Sequence, residues 1–232
     1  MNALTPELLW TCFPYLWHMA ENGSWPSIRD HGLLSTSALL NRFEINDADR
    51  AAIERERRAQ CYTISKEGIP DAVIRDQKPM SDEALKKCLR DGLTPGDWYR
   101  ILNARTFFWL SKTRLRRLLG ARAYRHRPQT VLTIDTRSLV EVHFNRIELS
   151  SINSGSTIFN PVPRGRRTFL PIHEYDFEGW CKKRRREDAV AELVVREGVP
   201  DIKDHVIAVH DWSGKATIET WRRDGVDATI GP

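Results

Sequence analysis

The chain has 232 residues, of which 41% are hydrophobic and 29% are charged. This length is enough for one large domain or two small ones with a substantial core, and no apolar run approaches the ~20 residues that a transmembrane helix needs. The net charge of +5 comes from 36 basic and 31 acidic residues. This moderate excess permits an anionic partner such as a nucleotide or a nucleic acid but does not require one.

The cysteine pattern bears on the compartment. Cys12, Cys61, Cys88 and Cys181 are far apart and form no Cys-x-x-Cys pair, which is typical of reduced, mostly buried thiols. Residues 1–10 lack the basic segment and apolar stretch of a secretory signal. We therefore expect a cytoplasmic protein with no metal site and no membrane segment.

The first half of the chain contains short strands and capped helices. Residues 15–19 are apolar and aromatic, which predicts a buried strand that carries His18. Ser24 and Pro26 then indicate the start of a helix that ends at Gly32. Further helices are predicted at 47–58, 81–92 and 94–103.

The second half begins with residues 106–110, Thr-Phe-Phe-Trp-Leu, which predict an aromatic strand. Ser111 caps the basic helix that follows, and Gly120 ends it. Residues 150–167 are rich in Ser, Asn, Pro, Gly and Arg and predict a long loop; such a loop in a compact domain is more often functional than idle. Other predicted elements are strands at 131–135, 189–195 and 206–210, and a helix at 175–186.

The order of elements limits the fold class. Strands and helices are interspersed without a regular βαβ alternation, and the sequence has no GxGxxG or Walker loop. This pattern disfavours Rossmann and P-loop folds and favours an α+β domain with antiparallel or mixed sheets. We expect a single domain over 1–212, followed by a flexible tail over 213–232, which is polar and rich in Gly.

Three segments resemble motifs of the ADP-ribosyltransferase superfamily, in the order that superfamily has them. Residues 16–18 (Leu-Trp-His) and 28–33 (Ile-Arg-Asp-His-Gly-Leu) resemble the first strand and helix of its NAD site, as in poly(ADP-ribose) polymerases, tRNA 2′-phosphotransferases and DarT-type DNA ADP-ribosyltransferases. Residues 107–111 resemble its aromatic third motif strand, and 191–195 (Ala-Glu-Leu-Val-Val) resemble the DarT-type segment with the catalytic Glu. Met19 stands where the polymerases have Gly, and the aromatic strand has no Tyr. A bacterial branch of the superfamily is therefore expected.

The resemblance implies an ADP-ribosyltransferase-like fold with two small antiparallel or mixed sheets and flanking helices, and NAD as substrate without a metal. It assigns two residues to catalysis. Glu192 would stabilise the oxocarbenium-like transition state, and Arg75 would bind the pyrophosphate or assist transfer to a base. His18 would donate a hydrogen bond to a ribose hydroxyl. The other implied NAD-binding residues are Gly32, Ser35, Phe107, Phe108 and Ser111, with one phenylalanine stacked on nicotinamide.

The basic loop favours a nucleic-acid acceptor, which Arg164, Arg166 and Arg167 would dock. The predicted function is thus an NAD-dependent ADP-ribosyltransferase that modifies DNA or RNA, toxin-like, with an antitoxin or a hydrolase as an expected partner. An RNA 2′-phosphotransferase or an NAD glycohydrolase on the same fold remains an alternative. A non-enzymatic nucleic-acid-binding module is the third hypothesis.

Simpler interpretations of the same residues stay open. His18 could be a satisfied core histidine, and Glu192 could point outward from its strand. Arg75 could pair with the neighbouring Asp76. The run Lys182 to Arg186 is most simply a solvated helix face.

Overall fold

A computed structural model describes residues 4–158, 160–214 and 216–232. The strands are β1 (Tyr15–Glu21), β2 (Leu33–Leu34), β3 (Tyr62–Lys66), β4 (Ile69–Ile74), β5 (Arg105–Trp109), β6 (Gln129–Asp135), β7 (Ile147–Ser150), β8 (Leu170–Pro171), β9 (Glu192–Arg196), β10 (Gly198–Val199), β11 (Val206–Trp212) and β12 (Thr217–Arg222). The α-helices are α1 (Pro6–Cys12), α2 (Trp25–His31), α3 (Thr36–Arg42), α4 (Asp47–Arg55), α5 (Asp82–Cys88), α6 (Pro95–Asn103), α7 (Lys112–Leu119), α8 (Thr136–His143) and α9 (Phe177–Cys181). Within the described ranges, none of the helices combines the length and the apolar character needed to cross a membrane.

Eight strands form one antiparallel sheet in the order β12-β11-β6-β1-β5-β9-β7-β8. The pairs β2–β10 and β3–β4 form two small antiparallel sheets beside it. The predicted α+β class is confirmed, but the main sheet is much larger than the two small sheets that we expected. Strands β6 and β9 lie inside this sheet and are buried at almost every position. They join the strands on either side of them into one sheet instead of two.

Helices cover both faces of the main sheet. The largest buried cluster packs α1, α2, α8 and α9 against one face and includes Phe108 and Leu193. A second cluster packs α5 and α6 against the other face and includes Trp98 and Val194. Leu193 and Val194 are consecutive on β9, and consecutive side chains of a strand point to opposite faces. The continuous apolar run of β9 is therefore explained by burial on both sides.

The strands β1 and β5 diverge at the centre of the sheet. β1 pairs with β6 along its whole length, but its pairing with β5 is limited to the position where Trp17 lies opposite Trp109. Trp109 also lies opposite Glu192 on β9, so Glu192 shares the face of Trp17. His18 follows Trp17 and therefore points to the other face. The gap between β1 and β5 lets side chains from both faces reach one cavity.

Local sequence signals explain most of the element boundaries. The helix predicted to end at Gly32 is α2, and Gly32 has φ +89°. A Cβ at Gly32 would lie 2.7 Å from the Cα of Pro200, so only glycine fits. The helix predicted over 94–103 is α6, which begins with a reciprocal capping box between Thr94 and Asp97.

Other segments differ from the sequence-based expectation. The pattern did not predict α1, α3 or the β3–β4 hairpin. The segment 213–232, expected to be a flexible tail, contains β12, whose β-branched and aromatic residues add an edge strand beside β11. Trp221 of β12 packs on Trp25 with ring centroids 5.5 Å apart. Residues 1–3, 159 and 215 of the predicted domain, loop and tail lie outside the described residues.

The helix predicted over 175–186 is much shorter than expected. α9 begins after Asp176, whose Oδ1 accepts a hydrogen bond from the Gly179 amide at 3.0 Å, and ends at Cys181. The next five residues, 182–186, are all basic. Like charges at helical spacing repel one another, and the run continues instead as a turn.

Candidate active site

A cavity of about 1270 Å³ opens beside the gap between β1 and β5. It exceeds the roughly 300–1,000 Å³ of most small-molecule sites. The cavity is lined from β1, β2, β4, β5, α7 and the loop after β7. Six of the eight predicted catalytic and NAD-binding residues line it: His18, Gly32, Ser35, Arg75, Phe107 and Glu192.

Glu192 is the most constrained acid of this cavity. It begins β9, and its side chain is 3% exposed. Oε2 accepts a hydrogen bond of 2.6 Å from the Ser154 hydroxyl, and the Ser154 amide donates to both carboxyl oxygens at 3.2 Å. Burial raises the pKa of Glu192 to about 7, although these hydrogen bonds and the charges of Arg164 and Arg114 oppose the rise. The group can therefore exchange a proton near neutral pH.

Arg164 supports this arrangement from behind. It is 3% exposed. Its Nη1 donates to the Ser154 carbonyl at 2.8 Å, and its Nε donates to the Val162 carbonyl at 3.1 Å. Its backbone bonds to Cys88 and Arg90 tie the loop to the end of α5. Our expectation that Arg164 docks an acceptor is not supported, because its guanidinium is buried inside the loop and positions Ser154.

Arg114 is a site residue that the sequence did not single out. It lies on α7 and lines the cavity, and its positive charge acts on Glu192. Nη2 lies 3.1 Å from Oδ1 of Asp188. Its Nε is buried and has no hydrogen-bond partner among the described residues. The pattern of α7 gave Arg114 no signal apart from its basic composition, because Arg116 and Arg117 have the same residue type and are exposed.

His18 is held as one tautomer. Its Nδ1 lies 2.9 Å from the carbonyl oxygen of Phe107 across the gap between the strands. A carbonyl oxygen accepts, so Nδ1 carries the proton and Nε2 is left as an acceptor. Burial lowers the pKa of His18 to about 4, and the charge of Arg75 adds to this effect. The sequence-based role is therefore corrected: the neutral ring can accept a hydrogen bond from a ribose hydroxyl at Nε2 but not donate one.

Arg75 approaches the cavity from the end of β4. Its Nη1 donates to Glu21 Oε2 at 2.8 Å and to Gln129 Oε1 at 2.7 Å. Its charged partner is thus Glu21 of β1 and not the neighbouring Asp76. Its Nη2 is buried, and no described residue accepts from it. A buried donor without a partner is costly, and an anionic ligand group that reached this nitrogen would satisfy it.

Gly32 and Ser35 shape one wall of the cavity. Gly32 allows the close approach to Pro200 described above. The Ser35 hydroxyl accepts a hydrogen bond from the Ala38 amide at 3.2 Å and so caps α3. The Ser35 amide donates to the Glu197 carbonyl at 3.0 Å, which joins this wall to the turn after β9. Gly32 and Ser35 therefore fix the backbone of this wall.

The aromatic strand divides its two phenylalanines. Phe107 is partly exposed and lines the cavity. Phe108 is fully buried, and its ring centroid lies 5.8 Å from that of His18. Ser111 is buried at the start of α7 and does not line the cavity. Of the two phenylalanines predicted to stack on nicotinamide, Phe107 lines the cavity and Phe108 does not.

Arg166 and Arg167 lie away from the cavity. The Arg166 amide donates to Asp91 at 2.7 Å, and the Arg167 guanidinium pairs with Glu174 at 3.3 Å. Both side chains are exposed on the surface. The structure therefore does not bring the three predicted acceptor-docking arginines together.

A separate polar cluster joins His143, Asp201 and His205. The three offer ligand atoms within 4.8 Å of one another. Nη2 of Arg146, however, donates to His143 Nδ1 at 2.7 Å, so Nε2 carries the proton and donates to Asp201 Oδ1 at 2.8 Å. A metal-bound histidine instead donates its other ring nitrogen to an acceptor. The donor set thus favours a hydrogen-bonded cluster that ties α8 to the turn before β11.

Comparison with known proteins identifies a family. A model for a family of unknown function, DUF7002, matches residues 14–206. No curated protein and no solved structure matches the chain. The matched segment begins just before β1 and ends at the start of β11, so it contains His18, Arg75 and Glu192 but not β12.

Proposed function

The chain belongs to the DUF7002 family, and because the function of that family is unknown, we propose from the chemistry of the cleft that the protein is an NAD-dependent ADP-ribosyltransferase with an ADP-ribosyltransferase-like fold. The observation that carries the proposal is that a buried carboxylate, an acceptor imidazole and two arginines line one cavity, and that each arginine has a buried donor with no partner among the described residues. These groups match the charges of a dinucleotide whose glycosidic bond is cleaved.

Glu192 is the group proposed to act on the reacting bond. Transfer breaks the bond between the nicotinamide nitrogen and C1′ of the ribose, and a bond forms from C1′ to the acceptor. Positive charge develops on the ribose, and an adjacent carboxylate stabilises it. Nicotinamide leaves with the bonding electron pair, and the acceptor proton passes to Glu192 or to water.

The protonation state of Glu192 fits this role. Its pKa of about 7 leaves part of the free protein with a neutral carboxyl at neutral pH. The nicotinamide ring of NAD carries a positive charge. Its binding beside Glu192 would lower that pKa and favour the carboxylate. The substrate would thereby ionise the group that its reaction needs.

Three other side chains would orient the dinucleotide. His18 Nε2 would accept from a ribose hydroxyl, because Nδ1 is engaged with Phe107. Arg75 Nη2 would donate to a pyrophosphate oxygen, because Nη1 is engaged with Glu21 and Gln129. Phe107 would offer its face to the nicotinamide.

The alternatives on the same site differ in the acceptor. An NAD glycohydrolase uses water, and an RNA 2′-phosphotransferase uses an RNA phosphate. The cavity exceeds the usual size of a small-molecule site, which favours a second substrate over water. The buried and hydrogen-bonded Glu192 favours a reaction that uses a carboxylate.

The test compares wild type with Glu192→Gln and with Glu141→Gln, an exposed position on α8 paired with Arg137. Each protein is incubated with NAD labelled on the adenylate phosphate and with DNA, RNA or protein, and released nicotinamide and transferred label are measured. Glu192→Gln should lose roughly 100-fold or more in rate and still show a thermal shift with NAD, whereas Glu141→Gln should resemble wild type. Folded wild type that neither releases nicotinamide nor transfers label to any acceptor would refute the proposal. Release without label on any acceptor would identify a glycohydrolase.

A further inference from the structure

One segment accounts for the net positive charge of the chain. Residues 98–134 contain nine basic residues and no Asp or Glu, whereas the whole chain has a net charge of +5. The rest of the chain is therefore net acidic. Protein surfaces usually intersperse both signs, so the exposed arginines of this segment form an electrostatic footprint for an anionic partner.

Part of this segment lies at the rim of the cavity. Arg117 on α7 and Arg122 in the turn after it are both exposed and both line the cavity. Arg125 is exposed three residues further on. We call Arg117, Arg122 and Arg125 the basic rim.

The basic rim is not neutralised by the protein. Among the described residues, no carboxylate forms an ion pair with any of its three arginines. Two acids of the cavity are engaged with other groups, since Glu21 pairs with Arg75 and Glu192 accepts from Ser154. Arg114, one helical turn before the basic rim, also has a buried Nε without a partner in the described part of the chain. Spare guanidinium donors thus run from the surface towards Glu192.

We propose that the basic rim binds the phosphate backbone of a single-stranded nucleic acid and leads an acceptor nucleotide towards Glu192. This inference rests on the proposed function, because it supplies the second substrate of that reaction. A phosphate backbone matches a row of guanidinium groups. A single strand is favoured over a duplex because a base must leave its stack to enter a cavity, and the partly exposed Trp109 and Phe107 line this one.

The surface differs from the one that the sequence indicated. Arg166 and Arg167 were expected to dock the acceptor, but they lie outside the cavity and Arg167 is paired with Glu174. The basic rim has the same residue type without an acidic partner in the described ranges, and it adjoins the cavity. The two surfaces can therefore be compared directly by matched charge removal.

The experiment measures fluorescence anisotropy with labelled single-stranded DNA and RNA of about 20 nucleotides. The rim variant combines Arg117→Gln, Arg122→Gln and Arg125→Gln. The control variant removes the same charge at exposed positions elsewhere, with Arg166→Gln, Arg167→Gln and Lys182→Gln. Melting temperatures establish that all three proteins fold.

We expect the rim variant to bind the oligonucleotide roughly tenfold or more weakly. The magnitude of the slope of log K against log salt should fall by about 2, because each of the three lost phosphate contacts on a single strand contributes about 0.7. The control variant should bind within about twofold of wild type. The proposal would be overturned if wild type bound no oligonucleotide or if the control variant lost as much affinity as the rim variant. It would also be overturned by tighter binding of a matched duplex, or by polyglutamate displacing the oligonucleotide equally well. NAD-induced thermal shift is measured on the same wild-type sample, and its absence refutes the proposed function whatever the oligonucleotide result.

Discussion

The hydroxyl of Ser154 donates to the buried carboxylate of Glu192 at 2.6 Å. The carbonyl oxygen of the same serine accepts from Arg164 at 2.8 Å. Ser154 thus links the loop after β7 to the start of β9, and its two bonds have different effects. The first stabilises the ionised form of Glu192, and the second fixes the loop that presents the hydroxyl.

Ser154→Ala should shift the pH dependence of NAD cleavage. The substitution removes a hydrogen-bond donor to the carboxylate, which should raise the pKa of Glu192 above its wild-type value of about 7. If the ionised group acts, the rate rises with pH through this pKa, so the variant should lose more activity at about pH 6 than at about pH 8.5. The measurement is a pH–rate profile beside Ser151→Ala, a loop residue outside the cavity. Identical profiles for wild type and Ser154→Ala would contradict the expectation.

Glu192→Gln should stabilise the fold at high pH. Burial raises the pKa of Glu192 from 4.5 to about 7, so the folded state binds a proton that the unfolded state has lost. The stability associated with this proton is fully present below about pH 4.5 and is lost as pH rises through about 7. The carboxylate then costs up to about 3 kcal/mol at pH 8, a cost that a neutral amide avoids.

The stability of this variant is measured by urea unfolding at about pH 5 and about pH 8. The difference in unfolding free energy between Glu192→Gln and wild type should move in favour of the variant as pH rises. A difference that is constant across this range would mean that Glu192 ionises normally.

His18→Ala and His18→Asn should separate the structural role of His18 from binding. The alanine variant leaves the Phe107 carbonyl without its donor at the gap between β1 and β5, which should destabilise the fold by about 1–3 kcal/mol. An asparagine amide can replace Nδ1 as the donor, so it should recover part of this loss. Neither variant has an acceptor at the position of Nε2, so both should bind NAD more weakly. Recovery of NAD affinity along with stability in His18→Asn would count against the proposed contact.

Gly32→Ala should be much more harmful than Gly23→Ala. Both glycines have positive φ, +89° and +75°, but a Cβ at Gly32 would lie 2.7 Å from Pro200, whereas Gly23 has open space. We expect a loss of about 2–4 kcal/mol at Gly32 from strain and overpacking and of about 1 kcal/mol at Gly23. Chemical denaturation measures both losses. Equal losses would mean that Pro200 and α2 can move apart.

Elements with local signals could be predicted from the amino-acid sequence. The apolar run that carries His18 predicted β1, the aromatic run predicted β5, and the caps at Thr94 and Gly32 predicted the ends of α6 and α2. A cap or an apolar run acts over a few residues, so its consequence can be inferred without knowing what packs against it. The resemblance of two remote segments to motifs of a single site led us to expect His18 and Glu192 in one cavity, and both line it.

The chemistry available to these residues depends on contacts that form only in the folded chain. Arg164 and Arg166 are two positions apart in the same loop, yet one is buried against Ser154 and the other is exposed. The tautomer of His18 depends on a carbonyl 89 residues away in the sequence. The protonation state of a side chain and the hydrogen-bond donors it has left for a ligand depend on burial and on distances to remote segments. A local sequence pattern encodes neither of these.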